Sequence, residues 1–255
     1  MSAPLTVITG ASGGIGQAIV GQLAAPGVRF ALIGRNEERL NTAKGVAEKA
    51  GATALIGRLD VAADDIGGWL AMTSQNAPIE RVFANAGLSV GPRSPAELES
   101  AADTQRLIDA NLTGAISTVR GCLPAMRERG GQIVVVSSVA GLLPLPDLAV
   151  YAATKAALVA YAHAIRPRLA RQNIGVTVVC PGFVDSPMSR RHHGAKPFLM
   201  SAEKGAAAII KAGERNKRTA VFPLPFAALV AVERFAPGWL RDRGRSLFDA
   251  KIDRE

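Results

Sequence analysis

LTVITGASGGIGQAIV, residues 5–20, reads as a β-branched strand, a glycine-rich turn and the opening of an amphipathic helix. In that context the turn is more than a string of small residues. Gly10, Ser12, Gly14, Ile15 and Gly16 let bare backbone approach a pyrophosphate, while the helix amino terminus offers N–H groups without intrahelical partners. The expected architecture follows from this unit: an α/β, Rossmann-type, doubly wound sheet.

Working outward, short β-branched runs alternate with longer helical patterns along the chain, as βαβ units require. Strands are expected near Leu5–Thr9, Arg29–Gly34, Thr53–Leu59, Arg81–Asn85, Gln132–Ser137, Gly175–Cys180 and Ala220–Phe222. Helices are expected near residues 15–25, 36–50, 64–75, 102–129, 151–171 and 201–213. The prediction is thus a seven-stranded, mainly parallel sheet with helices on both faces, forming a single domain over residues 1–255. Pro167 removes a backbone donor inside the helix at 151–171, so that helix should kink or end early. Segments 91–98, 142–148 and 183–200 fit neither period, and long connections of this kind in a compact domain usually carry function.

Composition agrees with buried parallel strands. Hydrophobic residues make up 48% of the 255, with only 5% aromatic, which suits Ala, Val, Leu and Ile packed on both sheet faces. The formal charge of +9 would attract anions, but acids interrupt the basic residues after Pro187, and neither stacking aromatics nor a nucleic-acid motif accompanies them. Nucleic acid is therefore not expected as a partner. Cys122 and Cys180 form no CxxC pair and have no histidine at ligand spacing, so no disulfide and no metal site is expected. His192 and His193, adjacent on a basic loop, read as solvent-facing. The start MSAPLTVITG runs straight into a strand without the features of a secretory signal, so the expected location is cytoplasmic. The longest apolar stretch, Ala220 to Val232, is too short to span a bilayer. The apolar and basic extension from about 220 to 255, with Trp239, could rest on an acidic membrane surface. Burial against the chain's own substrate loop or a neighbouring subunit is the plainer expectation.

Chemistry concentrates at a few positions. Where the second strand ends, Gly34 is followed by Arg35 rather than a carboxylate, so a 2′-phosphate fits there better than a bare ribose. Asp60 and Val61 after the third strand, and Asn85, Ala86 and Gly87 after the fourth, fall where a bound adenosine should rest. Tyr151 and Lys155 stand four apart at a helix start and share one face, with Ser138 ending the fifth strand. A carbonyl that receives hydride gathers negative charge and needs a proton donor, and a phenol serves if a cation such as Lys155 stabilises its anion. Ser138 would hold the substrate oxygen, and Asn111 could order water linking Lys155 to solvent.

TGASGGIG, NAG at 85–87, Asn111, SSVAG at 137–141, YAATK at 151–155 and PGFVDSPM at 181–188 stand in an order that resembles the short-chain dehydrogenase/reductase family. The resemblance implies a nicotinamide hydride carrier, Tyr151 as general acid/base, Lys155 also bonding the nicotinamide ribose, Ser138 as orienter and Asn111 in a proton relay. It places Pro181, Gly182, Val184 and Ser186 beside the nicotinamide, and it implies a homodimer or homotetramer. The expected activity is NADPH-preferring reduction of a ketone or aldehyde, or the reverse oxidation, with NAD(H) as the lesser alternative. The almost wholly apolar loop 142–148, LLPLPDL, favours a hydrophobic small-molecule substrate. The rival reading is a catalytically silent NADP(H)-binding regulator.

Overall fold

The computed structural model describes residues 3–75, 77–92, 94, 97–233 and 251–252. Its centre is a seven-stranded sheet: β1 (Leu5–Thr9), β2 (Arg29–Gly34), β3 (Thr53–Arg58), β4 (Ile79–Ala84), β5 (Gly131–Val136), β6 (Ile174–Pro181) and β8 (Thr219–Phe222). The spatial order is β3-β2-β1-β4-β5-β6-β8, and every pairing is parallel. The chain winds outward from β1 to β3, then restarts at β4 on the other side. Strand order therefore reverses between β1 and β4, and a crevice opens above their carboxyl ends.

Strand alternation sorts the core into two layers. Val7, Ala31, Ile33, Ile133 and Val135 point to one face, where they meet helices α3 (Ile66–Thr73), α5 (Gly114–Met126) and α6 (Ala149–Ala170). Ile8, Phe30, Leu32, Val134 and Val136 point to the other and meet α1 (Gly14–Leu23), α2 (Glu37–Lys49) and α8 (Ala202–Glu214). Side chains such as Phe30, Ile33, Leu40 and Leu70 are fully buried between the layers, each worth roughly 1.5–3 kcal/mol of transfer free energy.

Three expectations need correction. The helix expected over 102–129 is three pieces: α4 (Ala101–Leu107), a π-helical turn at Ile108–Thr113 and α5. Asn111 sits on the π turn, where the wider i→i+5 spacing locally re-aims side chains. Of the two outcomes expected at Pro167, the early end is overturned, since α6 runs on to Ala170. Its last turn is fastened from outside by Arg166, whose guanidinium donates to Asn216 Oδ1 and Asn216 O at 2.8 Å each and to the Val176 carbonyl. The third concerns apolar length. Residues Pro146–Ala170 are long and apolar enough to cross a membrane by length and composition, with mean hydropathy 1.4. In this fold that helix is instead a layer over β5 and β6, with Leu158, Ala162 and Leu169 in the core and Lys155 buried.

Connections that the sequence left irregular also acquire form. Segment 142–148 closes with a 3₁₀ turn at Pro146–Leu148. Segment 183–200 holds α7 (Pro187–Arg190) and the two-residue β7 (His192–His193), which pairs antiparallel with β9 (Lys251–Ile252). The expected extension from 220 begins as edge strand β8 and continues as α9 (Leu224–Glu233). Trp239 lies outside the described residues.

The glycine turn depends on close backbone approach. Gly10 adopts φ +66°, and a Cβ there would lie 2.9 Å from Ala86 Cα. A Cβ on Gly16 would stand 2.3 Å from Gly10 O and 2.7 Å from Ala11 Cα, both rigid backbone. Replacing Gly16 with alanine should therefore force turn and helix apart, at about 1–3 kcal/mol. The expected readout is a midpoint of thermal unfolding lowered by several degrees; an unchanged midpoint would show that the turn relaxes freely.

Candidate active site

A cleft of about 1030 Å³ crosses the carboxyl ends of the strands. Following the strand order, it runs from the ends of β2 and β3, across the β1/β4 crevice, to the ends of β5 and β6.

At the first end, Gly34, Arg35, Asn36, Asp60 and Val61 line the wall. Arg35 Nη1 stands 3.8 Å from Asp60 Oδ2, with both side chains substantially exposed, so the pair steers the guanidinium without contributing much stability. Arg39, four residues beyond Arg35, joins the same wall. It lies in the first turn of α2, just past the end of β2, and sequence reasoning did not use it. Asn36 caps α2, its Oδ1 accepting from Arg39 N at 2.9 Å.

Over the crevice, Gly10, Ser12, Gly13, Gly14 and Ile15 form one bank and Asn85, Ala86 and Gly87 the other. The α1 amino terminus has Gly13 as its cap residue, no side-chain cap and no acid in the first turn. Its leading N–H groups are thus available to an anion. Asn85 braces the two banks: its Nδ2 donates to Thr9 O at 3.1 Å and Gly10 O at 3.3 Å. The Thr9 hydroxyl accepts from Asn85 N at 3.1 Å and Ala86 N at 3.2 Å. Gly16, grouped above with ligand-binding residues, does not line the cleft; its lack of a side chain serves the packing of turn on helix.

At the far end Ser138, Tyr151 and Lys155 come together. Ser138 leaves β5 as the cap of a 3₁₀ turn at Val139–Gly141, its Oγ accepting from Ala140 N at 3.1 Å. That turn lies directly on α6: a Cβ on Gly141 would be 2.7 Å from the Lys155 carbonyl carbon. Ser137 Oγ donates to Lys155 O at 2.8 Å and pins the same contact. The Ser138 hydroxyl neighbours the Tyr151 phenol and favours its ionised form. Lys155 Nζ donates to Val136 O at 3.2 Å and lies 5.7 Å from the centre of the Tyr151 ring.

Burial dominates the electrostatics at this end. It pushes the Tyr151 phenol above its ordinary value, and the neighbouring Ser138 hydroxyl only partly opposes it. The phenol is therefore protonated at neutral pH. Burial lowers the Lys155 ammonium to about 8. The Cys180 thiol is pushed up to about 12 by burial and stays neutral.

Asn111 is fully buried and does not line the cleft. Its Oδ1 accepts from Leu88 N at 2.7 Å, and its Nδ2 donates to Leu88 O at 3.0 Å and Thr154 Oγ1 at 3.2 Å. It stands behind Gly87, where a Cβ would meet Asn111 Oδ1 at 2.8 Å and Lys155 Nζ at 3.3 Å.

Pro181, Gly182, Val184 and Ser186 border the cleft beside this group. Ser186 caps α7, reciprocally bonded with Ser189, and packs over Gly14, where a Cβ would lie 3.1 Å from Ser186 Cβ. Beyond them Leu143, Leu145 and Leu148 face Phe183, with Phe226, Leu229 and Val232 of α9 completing the roof. The apolar helix α9 thus covers the chain's own cleft. His192 lines the same end and is only 7% exposed, whereas His193 is exposed. The solvent-facing expectation is wrong for His192, because alternation along β7 turns the two rings to opposite sides.

Residues 4–196 match the family model for short chain dehydrogenase. An uncharacterized oxidoreductase from Myxococcus xanthus is 33% identical over 245 residues, 95% of this chain and 96% of that protein. Among solved structures, a short chain dehydrogenase from Mycobacterium paratuberculosis bound to NAD superposes with TM-score 0.75 at 23% identity, over 86% of this chain and 96% of that one. L-Sorbose reductase from Gluconobacter frateurii, complexed with NADPH and L-sorbose, also gives 0.75, at 24% identity over 88% and 97%. Fold, site order and sequence agree: this chain is an oxidoreductase of the short-chain dehydrogenase/reductase family.

Proposed function

We propose that this protein is an NADPH-preferring reductase of hydrophobic ketones or aldehydes, working also in reverse on the alcohols. The observation that carries the reading is the grouping of Tyr151 with Ser138 and a buried lysine at one end of a cleft whose other end is cationic.

The residues present fit a phosphorylated dinucleotide. The uncapped α1 amino terminus and the bare glycine bank suit a pyrophosphate. Arg35 and Arg39 suit a 2′-phosphate, since Arg35 rather than a carboxylate stands directly after β2 and Asp60 is already engaged by Arg35. Tyr151, Lys155, Pro181, Gly182, Val184 and Ser186 would hold the nicotinamide end. When bound there, the cofactor supplies or accepts the hydride.

The chain's own residues account for the proton. Ser138 donates a hydrogen bond to the substrate oxygen and orients it against Tyr151. As charge gathers on that oxygen, Tyr151 transfers its phenolic proton, and the Lys155 ammonium stabilises the phenolate left behind. Asn111, fixed by Leu88 and Thr154, holds the wall on which Lys155 rests and would order the water that returns the proton. The leucines of loop 142–148 and the α9 roof keep bulk water out and favour an apolar substrate. Assembly as a homodimer or homotetramer and a cytoplasmic location belong to the same reading, the latter suited by two buried free thiols, Cys122 and Cys180.

Three outcomes are expected. Tyr151→Phe should lower kcat for carbonyl reduction by about 10²–10⁴-fold while NADPH still binds; undiminished turnover would remove Tyr151 from the chemistry, and a wild-type protein that binds NADPH but oxidises none of a carbonyl panel would be the silent regulator. Arg35→Asp should raise the Kd for NADPH about tenfold or more with much less effect on NADH, and equal losses would deny Arg35 the phosphate. Because Lys155 is held near 8 and must stay charged, kcat/KM for reduction should be level below about pH 7 and fall as pH rises through 8. Tyr151, shifted upward, would not produce a fall in that window, so a profile flat to pH 10 would separate the chemistry from the Lys155 charge.

A further inference from the structure

The catalytic group and the apolar lining account for most of the cleft, but not for His192. The loop that carries it is pinned at both ends: Asp185 N donates to Met200 O at 2.8 Å and Met200 N to Phe183 O at 2.9 Å. His192 itself pairs through the backbone with Ile252 of β9. Its ring packs against Phe183, with centroids 5.2 Å apart, and Phe183 in turn contacts Phe226 at 6.3 Å. Among the described residues no side-chain hydrogen bond reaches the imidazole, although it is 7% exposed. Its ring nitrogens, unbonded, are not sealed off from solvent, and His192 is among the residues that line the cleft.

An imidazole in such a place is costly unless something bonds it. Burial holds its pKa below the ordinary value. Lys196 and His193 on its own loop act in the same direction, and Asp147 on the facing loop opposes them. At neutral pH the ring is thus uncharged, with one N–H donor and one acceptor nitrogen. Asp147 belongs to the segment that leads into Tyr151, so His192 faces the substrate end across from the catalytic helix.

We propose that His192 determines specificity by hydrogen-bonding a second oxygen of the substrate, one remote from the reacting carbonyl. The inference rests on the reductase reading above and narrows it: the favoured substrates are apolar keto compounds that carry a further hydroxyl or carbonyl at their distal end. A purely hydrocarbon ketone would leave the imidazole unpaired beside a closed apolar wall. Sites built to bond a substrate hydroxyl discriminate strongly against analogues that lack it.

The test compares a decalin monoketone with the same ketone bearing a hydroxyl on the distal ring. Wild-type enzyme should favour the hydroxyketone in kcat/KM by about tenfold, mainly through KM. His192→Leu should erase most of that preference, and His192→Gln, which keeps a donor and an acceptor, should restore part of it. A preference unchanged in His192→Leu, or absent in the wild type, would overturn the proposal, as would a leucine variant that loses both ketones equally and is not rescued by glutamine. If the wild type binds NADPH but reduces neither ketone, the reductase reading fails instead. Calorimetric affinities of the two ketones for the NADPH complex then test His192 by themselves: tighter binding of the hydroxyketone that is lost in His192→Leu supports the assignment, and equal affinities sink it.

Discussion

A ligand that crosses a parallel sheet needs two neighbouring strands to stay hydrogen-bonded below while their carboxyl ends part above. Here that demand falls on β1 and β4, where the winding reverses. Thr9 and Asn85 meet it, the hydroxyl accepting two amides and the carboxamide reaching two carbonyls across the gap. The clamp works because Gly10 has no Cβ to collide with Ala86. Polar groups that would otherwise be stranded at the crevice floor bond to one another, and the glycine bank keeps its N–H groups directed at the cleft. The cofactor end and the catalytic end are both referenced to this junction.

Catalytic geometry rests on a second close approach, that of the Val139–Gly141 turn to the backbone of α6 at Lys155. It fixes Ser138 against Tyr151 and takes Lys155 out of water at the same step. Desolvating an ammonium is unfavourable, and its lowered pKa records the cost. The Val136 carbonyl offsets part of it. A lysine held this way is poorly solvated by its surroundings and responds strongly to a negative charge nearby. That is the property a site needs if a phenolate is to form beside it.

The substrate end obeys a different constraint. It is assembled from three segments far apart in sequence, the loop at 142–148, the loop at 183–200 and α9, none of which is regular enough to bury its apolar side chains alone. They bury them against each other: Phe226 lies against Phe183, against Phe198 at 5.7 Å and over Gly182, whose missing side chain admits the ring. Specificity is thus carried by residues whose positions depend on mutual packing, while the chemistry is carried by residues fixed to strands and helices.

The sequence by itself determined the layered fold and the chemistry at its centre, because both are written in short-range signals. Strand alternation, the glycine turn and the four-residue spacing of Tyr151 and Lys155 each act within a few positions of the chain. What lay beyond local reach was decided by tertiary structure. The π turn at Asn111 packs on α6, bonded to Thr154 forty-three residues away, and Pro167 is tolerated because Arg166 is tied to Asn216, fifty residues away. The upward shift of Tyr151 and the inward face of His192 likewise reflect who surrounds each ring. Burial is a sum over neighbours from many segments, and a pattern confined to one segment does not contain it.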